Sequence, residues 1–253
     1  MNRKSELIIF FLALFISGCD RLYYMPNAHN VPLFKEKNEF RASGAFSAGS
    51  DDPDLFYELQ TAYSFKKNWA CMANFLSTDN KANTGDVSKN VRYIDGALGY
   101  FKPINRFGVF EIYGGLGACN QHHQYSNNYN IDGTANLNYI KLFIQPSFGL
   151  TTRYADLAIS WRLSDLYFSK VDYQLASNDP EIYYLDTIAK NRNSYLFEPA
   201  LTMRVGWKYV KLQLQLLRSF NLNHPNLRFE KSSVSLGLYI TIAKRYFPYT
   251  NMD

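Results

Sequence analysis

The chain has 253 residues, a net charge of +5 and an aromatic content of 17%, with 20 Tyr and 19 Phe. The mean hydropathy is −0.29, and no apolar run approaches the ~20 residues that a membrane-spanning helix needs, which excludes a helical membrane bundle. The small positive excess is spread along the chain and therefore does not indicate a nucleic-acid partner. The length suits one all-β domain.

The N-terminus predicts export. Arg3 and Lys4 precede the apolar residues 7–16, and small residues then lead to Cys19. This order predicts a signal peptide over residues 1–18. The motif Ile16-Ser17-Gly18-Cys19 resembles the bacterial lipobox, which implies cleavage before Cys19 and a diacylglyceryl thioether on its sulfur, with acyl chains such as palmitate. An ordinary signal peptide with an incidental Cys19 is the alternative.

Residues 19–38 are predicted to be a lipid-anchored tether. Pro26 and Pro32, with Asn27 and Asn30 between them, favour an extended segment over a helix or a central strand. The single histidine of this stretch, His29, is predicted to be a solvated linker residue.

Residues 195–217 form the clearest structural unit, because apolar residues occupy every second position. This period of two predicts two amphipathic strands joined by a tight turn at Trp207, Lys208 and Tyr209. The apolar face is predicted to meet lipid, and it includes Phe197, Leu201, Leu212 and Leu214.

About ten such segments follow one another over residues 39–253. Short turns at Lys66, Lys102, Arg153 and Lys208 alternate with longer polar loops at 77–90, 120–137, 164–193 and 219–232. Aromatic residues flank the short turns. Both features are typical of membrane barrels, so the sequence predicts an all-β, up-and-down antiparallel transmembrane β-barrel in the outer membrane of a Gram-negative bacterium. A soluble periplasmic β-lipoprotein is the alternative.

The lipobox, the stretch YMPNAHNVPLFKEKNEF and the stretch FYELQTAYSFKKNWACMANF resemble outer-membrane β-barrel lipoproteins of unknown function from Bacteroidota. The resemblance implies outer-membrane residence and supplies no site residues. Two departures are visible. The C-terminus KRYFPYTNMD lacks a terminal aromatic residue, and no acidic run follows Cys19, which argues against display of the lipid on the outer leaflet.

The polar face of the strands predicts the lumen of the barrel. It carries five acids and five bases, namely Arg41, Glu58, Asp95, Glu111, Lys141, Asp156, Arg162, Glu198, Arg204 and Lys211. Buried charges must be paired, so these side chains are predicted to form a charge-balanced network that plugs the lumen. A narrow pore and a catalytic role for the carboxylates are the alternatives.

The external loops are predicted to contact an envelope protein or a glycan. The best candidates for recognition are Tyr125, Tyr129, Tyr183 and Tyr184, since tyrosine offers contact area and a polar tip. A barrel-rim hydrolase using His122 or His123 with Asp132 is the enzymatic alternative. Neither a metal site nor a cofactor site is predicted, because no ligand spacing or glycine motif is present.

Cys71 and Cys119 remain in the mature chain. The predicted strands place Cys71 near a short turn and Cys119 at the opposite, loop end. At ~3.3 Å per residue this separation exceeds the ~7 Å limit for a disulfide. Both are predicted to be free thiols.

Overall fold

The computed structural model describes residues 22–50, 55–80, 87–127 and 130–246. In these ranges the chain forms one sheet of eleven strands, the α-helix α1 (Glu181–Lys190) and a 3-10 helix (Lys244–Tyr246). The strands are β1 (Phe40–Gly49), β2 (Leu55–Lys66), β3 (Trp69–Asn80), β4 (Val87–Pro103), β5 (Gly108–Asn127), β6 (Asn130–Thr151), β7 (Ala155–Gln174), β8 (Asn193–Gly206), β9 (Val210–Arg218), β10 (Phe220–Asn221) and β11 (Ser232–Ile242). Within these ranges, no helix has the length and apolar character needed to cross a bilayer.

The sheet closes on itself. Each strand from β1 to β8 pairs antiparallel with the next, β8 pairs with β9, β9 with β11, and β11 with β1. The two-residue strand β10 continues β9 in the same register, because Ala200 faces Leu217 and Phe197 faces Phe220. Counting β9 and β10 as one gives ten strands around the ring. The predicted up-and-down antiparallel barrel is confirmed.

Side chains alternate between the outside and the inside of this ring. In β2 every second residue from Leu55 to Ser64 is exposed and every other one is buried. The exposed set is apolar: Leu59, Leu98 and Leu142 are 60%, 63% and 61% accessible. A continuous apolar band of this kind is unfavourable in water and is solvated by lipid hydrocarbon.

The hairpin formed by β8 and β9 follows this rule. Glu198, Arg204 and Lys211 are buried on the inward face. The outward face carries the residues predicted to meet lipid, Phe197, Leu201, Leu212 and Leu214.

The two ends of the barrel differ. At one end, here the turn end, the connections are short and comprise residues 67–68, 104–107, 152–154 and 207–209. At the other end, the loop end, strands β4 to β7 extend to 17, 20, 22 and 20 residues. A tilted strand crosses a membrane with ~9–11 residues, so these four strands project beyond the hydrocarbon on the loop side.

The predicted extents of three polar loops are therefore wrong. Much of 77–90 and 120–137 is strand, because β5 continues to Asn127 and β6 begins at Asn130. The Asn- and Gln-rich composition suggested a loop, but paired strands that project into water also carry polar side chains.

The predicted loop 164–193 contains the end of β7 and the helix α1. The carboxylate of Asp179 accepts a hydrogen bond of 2.8 Å from the N–H of Glu181, the first residue of the helix. Leu185 and Ile188 are fully buried, so α1 packs its apolar face on the loop end of the barrel.

Candidate functional site: the barrel lumen

The lumen is occupied by the chain's own N-terminal residues. Residues 22–36, here called the lumen segment, lie inside the ring in an irregular extended conformation. Tyr23, Val31 and Phe34 are fully buried. The prediction that His29 is a solvated linker residue is wrong, because His29 has no exposed surface. Cys19 lies outside the described residues.

The lumen segment runs from the loop end to the turn end. The Tyr23 N–H donates to the Arg228 carbonyl at 2.9 Å, and Tyr24 forms a parallel bridge with Phe229, both in the connection before β11. At the other end, Lys35 Nζ donates to the Asn105 carbonyl in the short β4–β5 turn at 3.0 Å. β1 then starts at the turn end.

Side chains of the strands bind the main chain of every residue from 28 to 34. Six strands distributed around the ring supply these groups, so the segment is held from all sides. The contacts are Glu58 and Gln60 with Ala28 (both 2.9 Å), Gln215 with His29 (2.6 and 2.9 Å), Gln145 with Asn30 (2.8 Å), Arg204 with Val31 (2.9 Å), Tyr239 with Pro32 (2.8 Å) and Glu111 with Leu33 and Phe34 (3.0 and 2.9 Å).

Glu111 makes the most specific of these contacts. Its two carboxylate oxygens accept from the consecutive N–H groups of Leu33 and Phe34. Leu33 has φ 55°, a left-handed conformation that residues other than Gly and Asn rarely adopt. The carboxylate and the burial of the Leu33 side chain against Val109 and Ala158 hold this conformation.

All ten residues of the predicted charge network are buried inside the barrel. Their contacts differ from the expected mutual pairing of acids with bases. Three ion pairs join members of the set: Lys141 with Glu198 at 3.3 Å, Lys211 with Asp156 at 2.6 Å, and Arg204 with Asp156 at 3.9 Å. Arg41 pairs instead with Glu39, which is not a member of the predicted network.

The remaining charged groups bind the lumen segment or amides of the wall. Asp95 accepts from Asn27 at 3.1 Å and from Asn74 at 2.5 Å. Arg162 donates to the Asn27 amide oxygen at 2.8 Å and to Gln145 at 2.8 Å. Asp95 and Arg162 thus each bind both the lumen segment and an amide of the wall.

Tyr24 connects the segment to the charge network. Its hydroxyl donates to Glu198 at 2.6 Å and accepts from Lys141 at 2.7 Å. Its ring packs against Tyr139 and Phe229 at centroid distances of 5.9 and 5.4 Å. These rings belong to a buried aromatic and aliphatic core that fills the loop half of the lumen and reaches Leu185 and Ile188 of α1.

His29 lies mid-lumen beside β7. Its Nδ1 is 2.7 Å from the Ser160 hydroxyl, while its Nε2 has no hydrogen-bond partner among the described residues. A buried Ser–His pair invites comparison with hydrolases. Here the pair is enclosed by the wall and the segment, without the acid partner and the substrate access that nucleophilic catalysis requires.

Glu39 organises the turn end. Its carboxylate accepts from the N–H groups of Lys35 and Glu36 at 3.1 and 2.9 Å, and it pairs with both Arg41 and Arg245. Burial lowers the pKa of Lys35, and Arg245 adds to this effect while Glu39 opposes it. This cluster fixes the sharp change of direction between the lumen segment and β1.

The predicted recognition tyrosines occupy different environments. Tyr125 is buried and faces inward on β5, so its prediction as an external contact is wrong. Tyr183 is 72% exposed on α1, and its neighbour Tyr184 lies under the Arg228 guanidinium at 4.2 Å. Tyr129 lies outside the described residues.

The two histidines of the rim-hydrolase hypothesis lie on opposite faces of the wall. His122 and His123 are consecutive on β5 and therefore point to opposite faces. The His122 ring bonds Asn136 at 2.7 Å, while His123 is buried and stacks on Tyr125. The side chain of Asp132 is not described. Across the described ranges, no group of three His, Cys, Asp or Glu side chains could hold a metal ion.

The two cysteines are free thiols in the described structure. Cys71 is half-buried on β3, and Cys119 is buried on the inward face of β5. Their positions on different faces of the wall keep the sulfurs apart.

Sequence reasoning missed the neutral amides of the site. Gln60, Gln145 and Gln215 share the inward parity with the selected charges, and this parity is the signal that could have identified them. The paired tyrosines Tyr23 and Tyr24 at the start of the segment were a second signal.

The closed antiparallel ring, the apolar outer face and the asymmetry between short turns and extended loop-side strands define a ten-stranded transmembrane β-barrel. Neither a protein-family model nor a curated protein matches the chain.

Among solved structures, the chain is similar to the outer-membrane protease OmpT from Escherichia coli, with 7% identity over 81% of this chain and 94% of that one and a TM-score of 0.47. It is also similar to the KdgM porin, with 10% identity, coverage of 80% and 99% and a TM-score of 0.36. For Ail of Yersinia pestis the identity is 8%, the coverage 81% and 99% and the TM-score 0.33. At identities this low, the similarity to these proteins is a similarity of the barrel fold alone.

Proposed function

We propose that this protein is a non-conducting outer-membrane barrel, anchored by lipid at Cys19, that presents its loop end as a binding surface for an envelope protein or a glycan. The observation that carries the proposal is the binding of the lumen segment's main chain by side chains from six strands around the ring. A barrel of this size is only slightly wider than one that side chains alone fill, and an added peptide leaves no room for a channel.

Burial supports a closed lumen. The loop half holds an apolar core that α1 covers, and the turn half holds a second core around Phe34, Phe101 and Tyr113. Ions need a continuous polar path, and apolar cores on both halves of the segment interrupt it.

The loop end supports the binding role. The segment's Tyr23 hydroxyl donates to Glu181 at 2.5 Å, and Arg228 donates to the other oxygen of the same carboxylate at 2.5 Å. The lumen segment thus fixes the first turn of α1. A rigid helix that exposes Tyr183 provides an aromatic contact with little entropy to lose on binding.

Planar-bilayer recording tests the closed lumen. We expect no unitary conductance from the whole protein, and open channels when residues 22–36 are replaced by a Gly-Ser linker of equal length. Heat-modifiable migration serves as the control for barrel folding in both chains. Conductance of the unaltered protein would contradict the proposal, and a closed linker variant would show that the wall alone seals the lumen.

Membrane fractionation tests the anchored-barrel assignment. We expect Cys19→Ala to lose its incorporated palmitate label but to remain in the outer-membrane fraction. A soluble periplasmic β-lipoprotein would instead be released into the aqueous phase by the same substitution.

A further inference from the structure

The direction of the lumen segment decides on which side of the membrane the chain ahead of it lies. Tyr23 and Tyr24 bond to residues 228–230 at the loop end, whereas Lys35 bonds to the β4–β5 turn at the turn end. Leu22, the first described residue, therefore lies at the loop end of the barrel. In transmembrane barrels the short turns face the periplasm and the longer loops face the outside.

Covalent geometry limits where Cys19 can be. Cys19 itself lies outside the described residues, and only Asp20 and Arg21 lie between it and Leu22, so the two positions are three Cα–Cα steps apart. A fully extended chain spans at most ~3.6 Å per residue, so the two positions are within about 11 Å of each other. The hydrocarbon core is ~30 Å thick, and so short a stretch of chain cannot cross it.

The segment cannot slide to relieve this constraint. Tyr23 is bound by Glu181 at the loop end, and Glu111 and Glu39 bind the main chain near the turn end. A shift of one residue would break the contacts of residues 28–34 and would move the left-handed Leu33 out of its buried position.

From this geometry we propose that the lumen segment carries the lipid anchor through the barrel, so that the acyl chains on Cys19 insert into the outer leaflet, on the loop side. The proposal rests on the proposed function, which supplies the lipid and the membrane. It reverses the expectation drawn from the missing acidic run after Cys19. The wall of the barrel, rather than a sorting sequence, determines the leaflet.

Three tagged chains test this placement. The same epitope is inserted between Asp20 and Arg21, between the exposed residues Ser177 and Asn178 on the loop side, or between Asn105 and Arg106 in the β4–β5 turn. We expect the first two tags to bind antibody equally on intact and permeabilised cells. The tag in the β4–β5 turn should bind only after permeabilisation.

The outcomes separate the two proposals. A tag at residue 20 that needs permeabilisation, while the tag at residue 177 does not, would overturn the outer-leaflet placement and leave the proposed function standing. A tag at residue 177 that needs permeabilisation would overturn the orientation on which both rest.

Discussion

The hydroxyl of Tyr24 donates a hydrogen bond of 2.6 Å to Glu198, which also pairs with Lys141 at 3.3 Å. The Glu198 carboxylate on β8 thus binds both Tyr24 of the lumen segment and Lys141 of β6. The pair is fully buried, so its energetics differ from those of ion pairs on the surface.

Glu198→Ala is expected to destabilise the barrel by about 3–5 kcal/mol, because it leaves the Lys141 ammonium buried without its partner. Denaturant unfolding of the protein in lipid vesicles measures the effect. Glu198→Gln should lose less stability than Glu198→Ala, since the amide oxygen can still accept the hydrogen bond from Tyr24. The matched control is Asp172→Ala, which breaks the exposed Lys170–Asp172 pair and should change stability by less than about 1 kcal/mol. Equal losses for Glu198→Ala and Asp172→Ala would contradict the buried network.

Glu111→Leu is expected to release the turn-end half of the lumen segment. It removes the acceptor of two buried N–H groups, and each N–H left unsatisfied destabilises the fold by about 1–3 kcal/mol. Hydrogen exchange should accelerate at Leu33 and Phe34 and remain unchanged at His29, whose main chain is bound by Gln215. Gln215→Leu is the reciprocal variant and should accelerate exchange at His29 alone. Uniform acceleration in both variants would indicate loss of the whole fold instead.

Ile144→Arg tests the outward face. Ile144 is exposed in the middle of β6, between the buried residues Phe143 and Gln145. An arginine on the lipid face near the bilayer midplane costs about 2–4 kcal/mol, so the variant should fold less stably into vesicles. Ile144→Leu preserves the apolar character and serves as the control. Equal stability of the two variants would show that this face does not contact hydrocarbon.

Leu185→Ala tests how α1 is attached. Leu185 is fully buried beneath the helix, and truncating a buried leucine costs about 2–5 kcal/mol. Amide exchange should accelerate across α1 while strands β1 to β3 stay protected. Tyr183→Ala, on the exposed side of the same helix, should leave exchange unchanged. A result in which both substitutions loosen α1 would contradict the packing described for Leu185.

The strands were predictable because alternate residues along a single strand point to opposite faces, whichever strands lie beside it. Alternation in residues 195–217 identified Glu198 as inward and Leu212 as outward without knowledge of any partner strand. The extent of β5 was not predictable, since its last residues are polar on both faces and a loop has the same composition.

The position of the lumen segment was also hidden from the sequence. Pro26 and Pro32 indicate an extended conformation, which a solvated tether and a buried segment share. Burial depends on partners that are remote in the chain, such as Gln215, which lies 186 residues from His29. Neither the sequence of the segment nor that of β9 shows the contact by itself.

The passage of residues 22–36 through the closed ring has a consequence for how the protein forms. The segment precedes β1, and the ring is completed where β1 pairs with β11, the first long strand with the last. If Cys19 carries the proposed acyl groups, the segment must already be in place when this seam closes, because such a chain end could not be drawn through a filled barrel afterwards. The finished molecule would then be interlocked with its own N-terminus, and release of that terminus would require either cleavage of the chain or opening of the β1–β11 seam.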